Sequence, residues 1–238
     1  MDLSVGNEIK KSNANWNFGG NVPKHFVEHI RSSVPLYDDG HELICLLSDF
    51  FCKNDSTCYE IGSSTGQLIK KLAQYNNAKP NIKWVGIDME ESMIKEAKQY
   101  CQGVNNIELH LADVANYEFE KSDFIVSYYT IQFLPEKLRQ QLITKLYDSL
   151  NWGGALLMFE KVRAPDARFQ DICAMLYTDF KIKNGFSSAE IIGKMQSLKG
   201  VLNPFSTEGN MGLLKRAGFT DIISIMKYVC FEGFMAIK

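Results

Sequence analysis

Cys58-Tyr59-Glu60-Ile61-Gly62-Ser63-Ser64-Thr65-Gly66-Gln67-Leu68 runs from apolar residues into an acid, through two glycines, and on into helix-forming residues. A strand that ends in a glycine turn and enters a helix is how a parallel α/β sheet builds a nucleotide-type site. A second apolar run, Trp84-Val85-Gly86-Ile87, ends in Asp88, and an acid at that strand tip is placed to accept hydrogen bonds from two ribose hydroxyls. The first loop is not the dinucleotide pattern G-x-G-x-x-G. Its spacing is E-x-G-x-x-x-G, and the acid ahead of the first glycine repels a pyrophosphate but suits a ligand that bears an ammonium group. Gly62 and Gly66 allow tight turns and close backbone approach.

Strand and helix patterns alternate on either side of this stretch. Thr57 to Ile61, Lys83 to Ile87, Ile107 to Leu111, Phe124 to Tyr128 and Ala155 to Glu160 read as strands. Gly66 to Tyr75, Glu91 to Tyr100 and Pro135 to Leu150 read as helices between them. Ala167 to Lys199 reads as two helices broken at Asn184-Gly185, and Met211 to Ala217 as a short helix closed by Gly218. Ile222 to Ile225 and Val229 to Ile237 form a closing hairpin. Upstream, Pro23 starts a helix that ends near Arg31, Ser33-Val34-Pro35-Leu36-Tyr37 is an extended connector, and a helix follows from Gly40 to Phe51. This alternation predicts a doubly wound α/β sheet whose ligand sits outside the carboxyl ends of the strands.

The bulk properties exclude several classes. With 238 residues and 45% hydrophobic residues, the chain can build one domain with a substantial core. A net charge of −2 argues against an extended nucleic-acid surface. No run approaches the roughly 18 apolar residues of a membrane span. The polar N-terminus is not a signal peptide, and the six cysteines contain no Cys-x-x-Cys, so a cytoplasmic protein with reduced thiols is expected. His25-Phe26-Val27-Glu28-His29 matches H-x-x-E-H, but no third ligand accompanies it and no metal is expected.

Leu111-Ala112-Asp113-Val114 supplies a third strand tip, where Asp113 either meets an adenine amine or caps a helix. With Glu60-x-Gly62-x-x-x-Gly66, Gly86-Ile87-Asp88 and Leu150-Asn151-x-Gly153-Gly154, it makes residues 56–160 resemble the class I S-adenosylmethionine (SAM)-dependent methyltransferase family. That resemblance implies a seven-stranded, mostly parallel sheet over 23–238, with an N-terminal helical cap, a helical insert at about 164–210 and a flexible arm at 1–22. It implies SAM as donor or substrate, held by Tyr37, Glu60, Gly62, Ser63, Ser64, Gly66, Asp88, Met89, Asp113, Val114 and Tyr128.

Over residues 22–238 the chain is similar to the carboxy-SAM synthase family, which makes a modified SAM for wobble-uridine tRNA modification. The matching stretches are Ser33-Val34-Pro35-x-Tyr37, Gly62-x-Ser64-x-Gly66, Thr130-x-Gln132-Phe133-Leu134, Gly153-Gly154-Ala155-Leu156, Asp179-Phe180-Lys181-x-x-Asn184-Gly185 and Lys215-x-Ala217-Gly218-Phe219. By this resemblance the protein is a homodimer, and Tyr37, Gly62, Asp88 and Asp113 are SAM contacts. Two positions depart from the family pattern. Its asparagine after the fourth strand falls on Tyr128, and its carboxylate-clamping arginine falls on Met195, which cannot neutralise a carboxylate. Lys194 is adjacent, but its side chain is expected to point about 100° away on a helix.

SAM is a sulfonium with electrophilic carbons, so alignment and exclusion of water do most of the catalysis. Tyr128, Tyr129 and Tyr177 are candidates to cage the sulfonium through cation–π attraction. The leading expectation is methyl transfer to a small-molecule acceptor, with Tyr177, Asp179 and Tyr128 as catalytic residues. The alternatives are cyclisation of SAM to azetidine-2-carboxylate with loss of methylthioadenosine, Asp179 assisting, and carboxy-SAM synthesis with a different clamp.

Overall fold

Every predicted strand forms. β1 (Thr57–Ile61), β2 (Lys83–Asp88), β3 (Ile107–Leu111), β4 (Ser122–Tyr128), β5 (Leu150–Lys161), β6 (Asp221–Tyr228) and β7 (Phe231–Ile237) make one sheet in the order β3-β2-β1-β4-β5-β7-β6. The first five pair in parallel, and β7 runs antiparallel between β5 and β6. The computed structural model describes residues 22–238, the side chain of Lys24 apart, together with Val5, Asn13, Ala14, Trp16, Phe18 and Gly19.

The central strands are buried on both faces, which is why they read as continuous apolar runs. Phe124 and Val126 face one core with Cys58, Leu68, Trp84 and Leu157. Ile125 faces the other with Tyr59, Val85, Leu142, Leu156 and Leu214. Each buried Val, Leu, Ile or Phe among them contributes about 1.5–3 kcal/mol relative to exposure. The first layer is covered by α2 (Tyr37–Phe51) and α3 (Gln67–Tyr75), the second by α5 (Glu136–Ser149) and α8 (Thr207–Ala217). α4 (Glu91–Tyr100) follows β2.

The order β2-β1-β4 reverses the direction of winding between β1 and β4, and that crevice is where such sheets bind ligands. Three helices roof it: α1 (Val22–Ser33), and α6 (Ala167–Lys183) with α7 (Ser188–Ser197) from the insert. Asp166 caps α6 by accepting from the Phe169 amide, and Ser187 with Glu190 forms a capping box on α7. Asn184 Nδ2 donates to the Ser32 carbonyl at 3.1 Å, tying the insert to α1.

Two local expectations are corrected. The connector at 33–37 is a tight turn rather than an extended segment: Leu36 takes φ +56°, and Tyr37 already lies in the first turn of α2. β5 begins at Leu150 rather than Ala155, because Leu150 pairs with Ser122 across an irregular register and absorbs the glycine turn. The arm expected at 1–22 lies largely outside the described residues. Of those described, Val5 is buried and packs with Val22 and Met93, with Trp16, Phe18 and Phe26 against them.

Candidate active site

A cavity of about 550 Å³ opens at the carboxyl ends of β1, β2, β4 and β5 and runs under α1, α6 and α7. Ten of the eleven residues expected to hold SAM line it; Gly66 does not, and its missing Cβ instead lets it pack against Cys101 and Ala97 of the next helix. Of the expected catalytic residues, Tyr128 and Tyr177 line the cavity. Asp179 does not: it is exposed on α6.

The glycine loop is stitched to the tip of β2. The amides of Gly62 and Ser63 both donate to the Ile87 carbonyl, at 2.8 and 3.0 Å. Asp88 Oδ2 accepts from the Ser64 amide at 2.8 Å, and Oδ1 accepts from the Glu90 amide at 2.9 Å. Asp88 therefore shapes the loop and still keeps a lone pair on each oxygen for a ligand. Burial raises its carboxyl above the ordinary range. Asp113 caps its own turn, accepting from the Ala115 amide and from Asn116 Nδ2, each at 3.0 Å. No helix begins there.

Glu60 is buried, its Oε2 has no partner, and the nearby Ile69 amide favours its ionised form. Burial first, and Asp88 after it, push its carboxyl well above the usual range. Ser63 Oγ, Thr65 Oγ1 and the Tyr129 hydroxyl are also buried, unpartnered and on the cavity wall. Such orphaned groups cost about 1–3 kcal/mol each when nothing satisfies them. The unpaired acid in the glycine loop fits an ammonium-bearing ligand, and the neighbouring hydroxyls fit a polar one. Tyr129 also sits at φ +60°, a strained position for a bulky residue at the end of β4.

Tyr128 is a wall rather than an acid or base. Its hydroxyl donates to the Tyr37 carbonyl at 2.7 Å, and burial pushes its ionisation far upward. Gly40 leaves the space for that hydroxyl. Tyr177 donates to the Ser33 carbonyl at 2.8 Å, and the cations on its ring are the chain's own: Lys161 Nζ and Lys181 Nζ each lie 4.4 Å from its centroid.

Those lysines open a chamber that motif reading missed. Lys161 ends β5, Lys181 is buried on α6, and Lys194 lines the cavity from α7 beside the exposed Met195. Lys194 thus points inward, against the expectation from its neighbour. Burial lowers all three: Lys161 is shifted down, Lys181 falls to about 8 with help from Lys161, and Lys194 to about 7 with help from Lys181 and Lys161. Lys194 Nζ lies 2.6 Å from His29 Nε2 and donates to Ser33 Oγ at 3.1 Å. His29 is pushed down to about 3 by burial and by Lys194, so it is neutral. The available signal was positional: Lys161 follows an apolar strand whose neighbours also end in site residues.

Below the cavity, Glu160 accepts from the Ile131 amide at 3.1 Å and is pushed up to about 8 by burial. Arg139 donates to the carbonyls of Leu134, Asn203 and Gln132, which fixes the loop after β4. Among the described residues no helix is long and apolar enough to cross a membrane, and no group of three or more His, Cys, Asp or Glu is arranged to hold a metal ion.

Comparison with known proteins agrees with this geometry. Residues 59–154 match the family described as methyltransferase domain. The fold superposes on human N-acetylserotonin methyltransferase in complex with SAM with a TM-score of 0.63 at 16% identity, covering 92% of this chain and 56% of that one. A putative O-methyltransferase from Nostoc punctiforme gives a TM-score of 0.64 at 16% identity, covering 92% and 61%. The chain spans little more than half the length of those two structures. Fold and site together define a SAM-dependent enzyme of the methyltransferase fold, with SAM as donor or substrate. A carboxy-S-adenosyl-L-methionine synthase of Staphylococcus epidermidis is 35% identical over 224 residues, 94% of this chain and 97% of that protein. The synthase of a Campylobacter jejuni strain is 35% identical over 223 residues, 93% of each. The chain belongs to the carboxy-SAM synthase family.

Proposed function

We propose that the enzyme transfers a carboxyl group from a small carboxylate donor to SAM, forming carboxy-SAM. One observation carries this reading: Lys161, Lys181 and Lys194 converge on the chamber beside the SAM half of the cavity, and among the described residues no carboxylate lies within ion-pair distance of any of them. Cations gathered under a low-dielectric roof favour an anionic guest.

In this reading Glu60 takes the SAM ammonium, Asp88 the ribose hydroxyls, and Asp113 with Val114 the adenine. Gly62, Ser63 and Ser64 bring the loop backbone close, and Tyr37 and Met89 flank the ligand. Tyr128 and Tyr129 place aromatic surface near the sulfonium, worth about 0.5–2 kcal/mol. When bound, SAM supplies a sulfonium methyl that exchanges one proton for the carboxyl group, the proton leaving with the remainder of the donor. The residues exclude water, align the two molecules and hold the donor's charge. The chain works as a single domain over 23–238 with its insert at about 164–210, and as a cytoplasmic homodimer. The exposed apolar residues Phe169, Ile172, Met175 and Leu176 of α6 suit a subunit contact, which sizing in solution tests.

The decisive experiment incubates the purified protein with SAM alone and with SAM plus prephenate, and identifies products by mass spectrometry. Carboxy-SAM that forms only with the carboxylate is the expected result. Methylthioadenosine from SAM alone overturns the reading in favour of cyclisation. A second reading, methyl transfer to a small acceptor, is favoured by Met195, whose thioether lines the cavity where the family has its arginine. S-adenosylhomocysteine accumulating with an added acceptor is its signature.

A further inference from the structure

We infer that Lys194 grips the anionic end of the second substrate, with His29 and Ser33 as the positioning residues that aim it. The inference rests on the proposed use of an anionic second substrate, and it assigns that task among three cations that are not equivalent.

An ammonium has three N–H donors. On Lys194 one is directed to His29 Nε2 at 2.6 Å and one to Ser33 Oγ at 3.1 Å, which leaves the third for the cavity that Lys194 lines. Both acceptors are held. Ser33 Oγ spends its own proton on the His29 carbonyl at 2.8 Å, so it offers Lys194 only a lone pair. The His29 ring lies between Trp16, stacked at 6.1 Å, and Phe186, edge-on at 5.6 Å. The Ser33 carbonyl receives the Tyr177 hydroxyl, which closes a frame across α1, α6 and α7. Lys161 and Lys181 are held differently: each lies 4.4 Å from the centre of the Tyr177 ring, which partly satisfies its charge, whereas Lys194 lies 5.5 Å from that of Trp16 and has two directed hydrogen bonds besides. They supply field, and Lys194 supplies a directed hydrogen bond to an anion, the strong charge-assisted kind.

Among the described residues, the ionisable groups facing Lys194 are Lys161 from β5, Lys181 and Tyr177 from α6, and His29 from α1. The first two are cations and the last two are neutral. An anion therefore draws a proton onto Lys194, and anion affinity falls as pH rises through about 7.

The test titrates malonate, a non-reacting dicarboxylate, into the SAM-saturated protein by calorimetry, and measures KM for prephenate in parallel. Lys194→Met is expected to weaken malonate and raise that KM by about 10–100-fold, with SAM affinity unchanged. Lys194→Arg is expected to recover much of the loss. His29→Leu removes an acceptor that favours the charged amine, and is expected to move the alkaline limb of the malonate profile to lower pH. Lys194→Met binding malonate as tightly as the parent overturns the inference, as does an equal loss of SAM affinity. If the parent binds malonate through Lys194 yet makes no carboxy-SAM, the proposed reaction fails and the anion grip stands. If it makes carboxy-SAM and Lys194→Met keeps the same KM, the reaction stands and the grip fails.

Discussion

Glu60 and Gly62 concentrate the chemistry of the glycine loop. Glu60→Gln keeps the shape and removes the charge that an ammonium needs, so the Kd for SAM is expected to rise by about 10–100-fold in calorimetry. Because burial holds the Glu60 carboxyl high, SAM binding ionises it and releases a proton. SAM affinity should therefore climb with pH on the acid side of the Glu60 midpoint. Calorimetry in buffers of different ionisation enthalpy reads that proton, and uptake instead of release would contradict the assignment. Gly62 sits at φ +74°, and a Cβ there would lie 2.2 Å from Thr130 Oγ1. Gly62→Ala is expected to destabilise the protein by about 1–3 kcal/mol and to abolish SAM binding. Both residues were legible in the sequence because their meaning lies in a short spacing: an acid, a turn and a helix within a few residues.

Elements and their contacts were only partly legible. The strands, the break in the insert and the closing hairpin follow from periodicity and glycine, since a sheet buried on both faces leaves an apolar signature. The turn at Leu36 did not follow, because a left-handed backbone at a leucine has no local sequence signature. Gly40 shows what the packing there requires. Its Cβ would meet the Tyr128 hydroxyl at 2.2 Å, displacing it from the Tyr37 carbonyl. Gly40→Ala is expected to cost about 1–3 kcal/mol in chemical denaturation, though it lies outside the glycine loop. The lysines of the insert were missed for a related reason. A lysine on an amphipathic helix reads as solvated surface, and nothing local reports that Lys181 and Lys194 turn inward.

Across the whole molecule, the buried charges set how stability depends on pH. Glu160 is held up near 8, so between its unfolded value of about 4.3 and that pH the native state keeps a proton the unfolded chain has lost, and stability falls as pH rises. Lys181 and Lys194 are held down near 8 and 7, so between those values and about 10.4 the unfolded chain binds more protons, and stability rises with pH. Glu160, Lys181 and Lys194 together are therefore expected to contribute a minimum near pH 7–8 to the stability of the ligand-free protein in urea titrations across pH, on top of the rise up to about pH 6.5 that His29 and His41, held down near 3 and 4, contribute. Malonate should shallow that minimum, because it supplies the missing counter-charge.

The order of strands and helices, the glycine loop and the acids at the strand tips are written in adjacent residues, so the amino-acid chain alone establishes the SAM-binding architecture. The second chamber is not written that way. Its parts come from α1, β5, α6 and α7, with His29 and Lys194 separated by 165 positions yet 2.6 Å apart. Only packing brings those groups together, and only burial converts ordinary surface lysines into a charge that requires an anion.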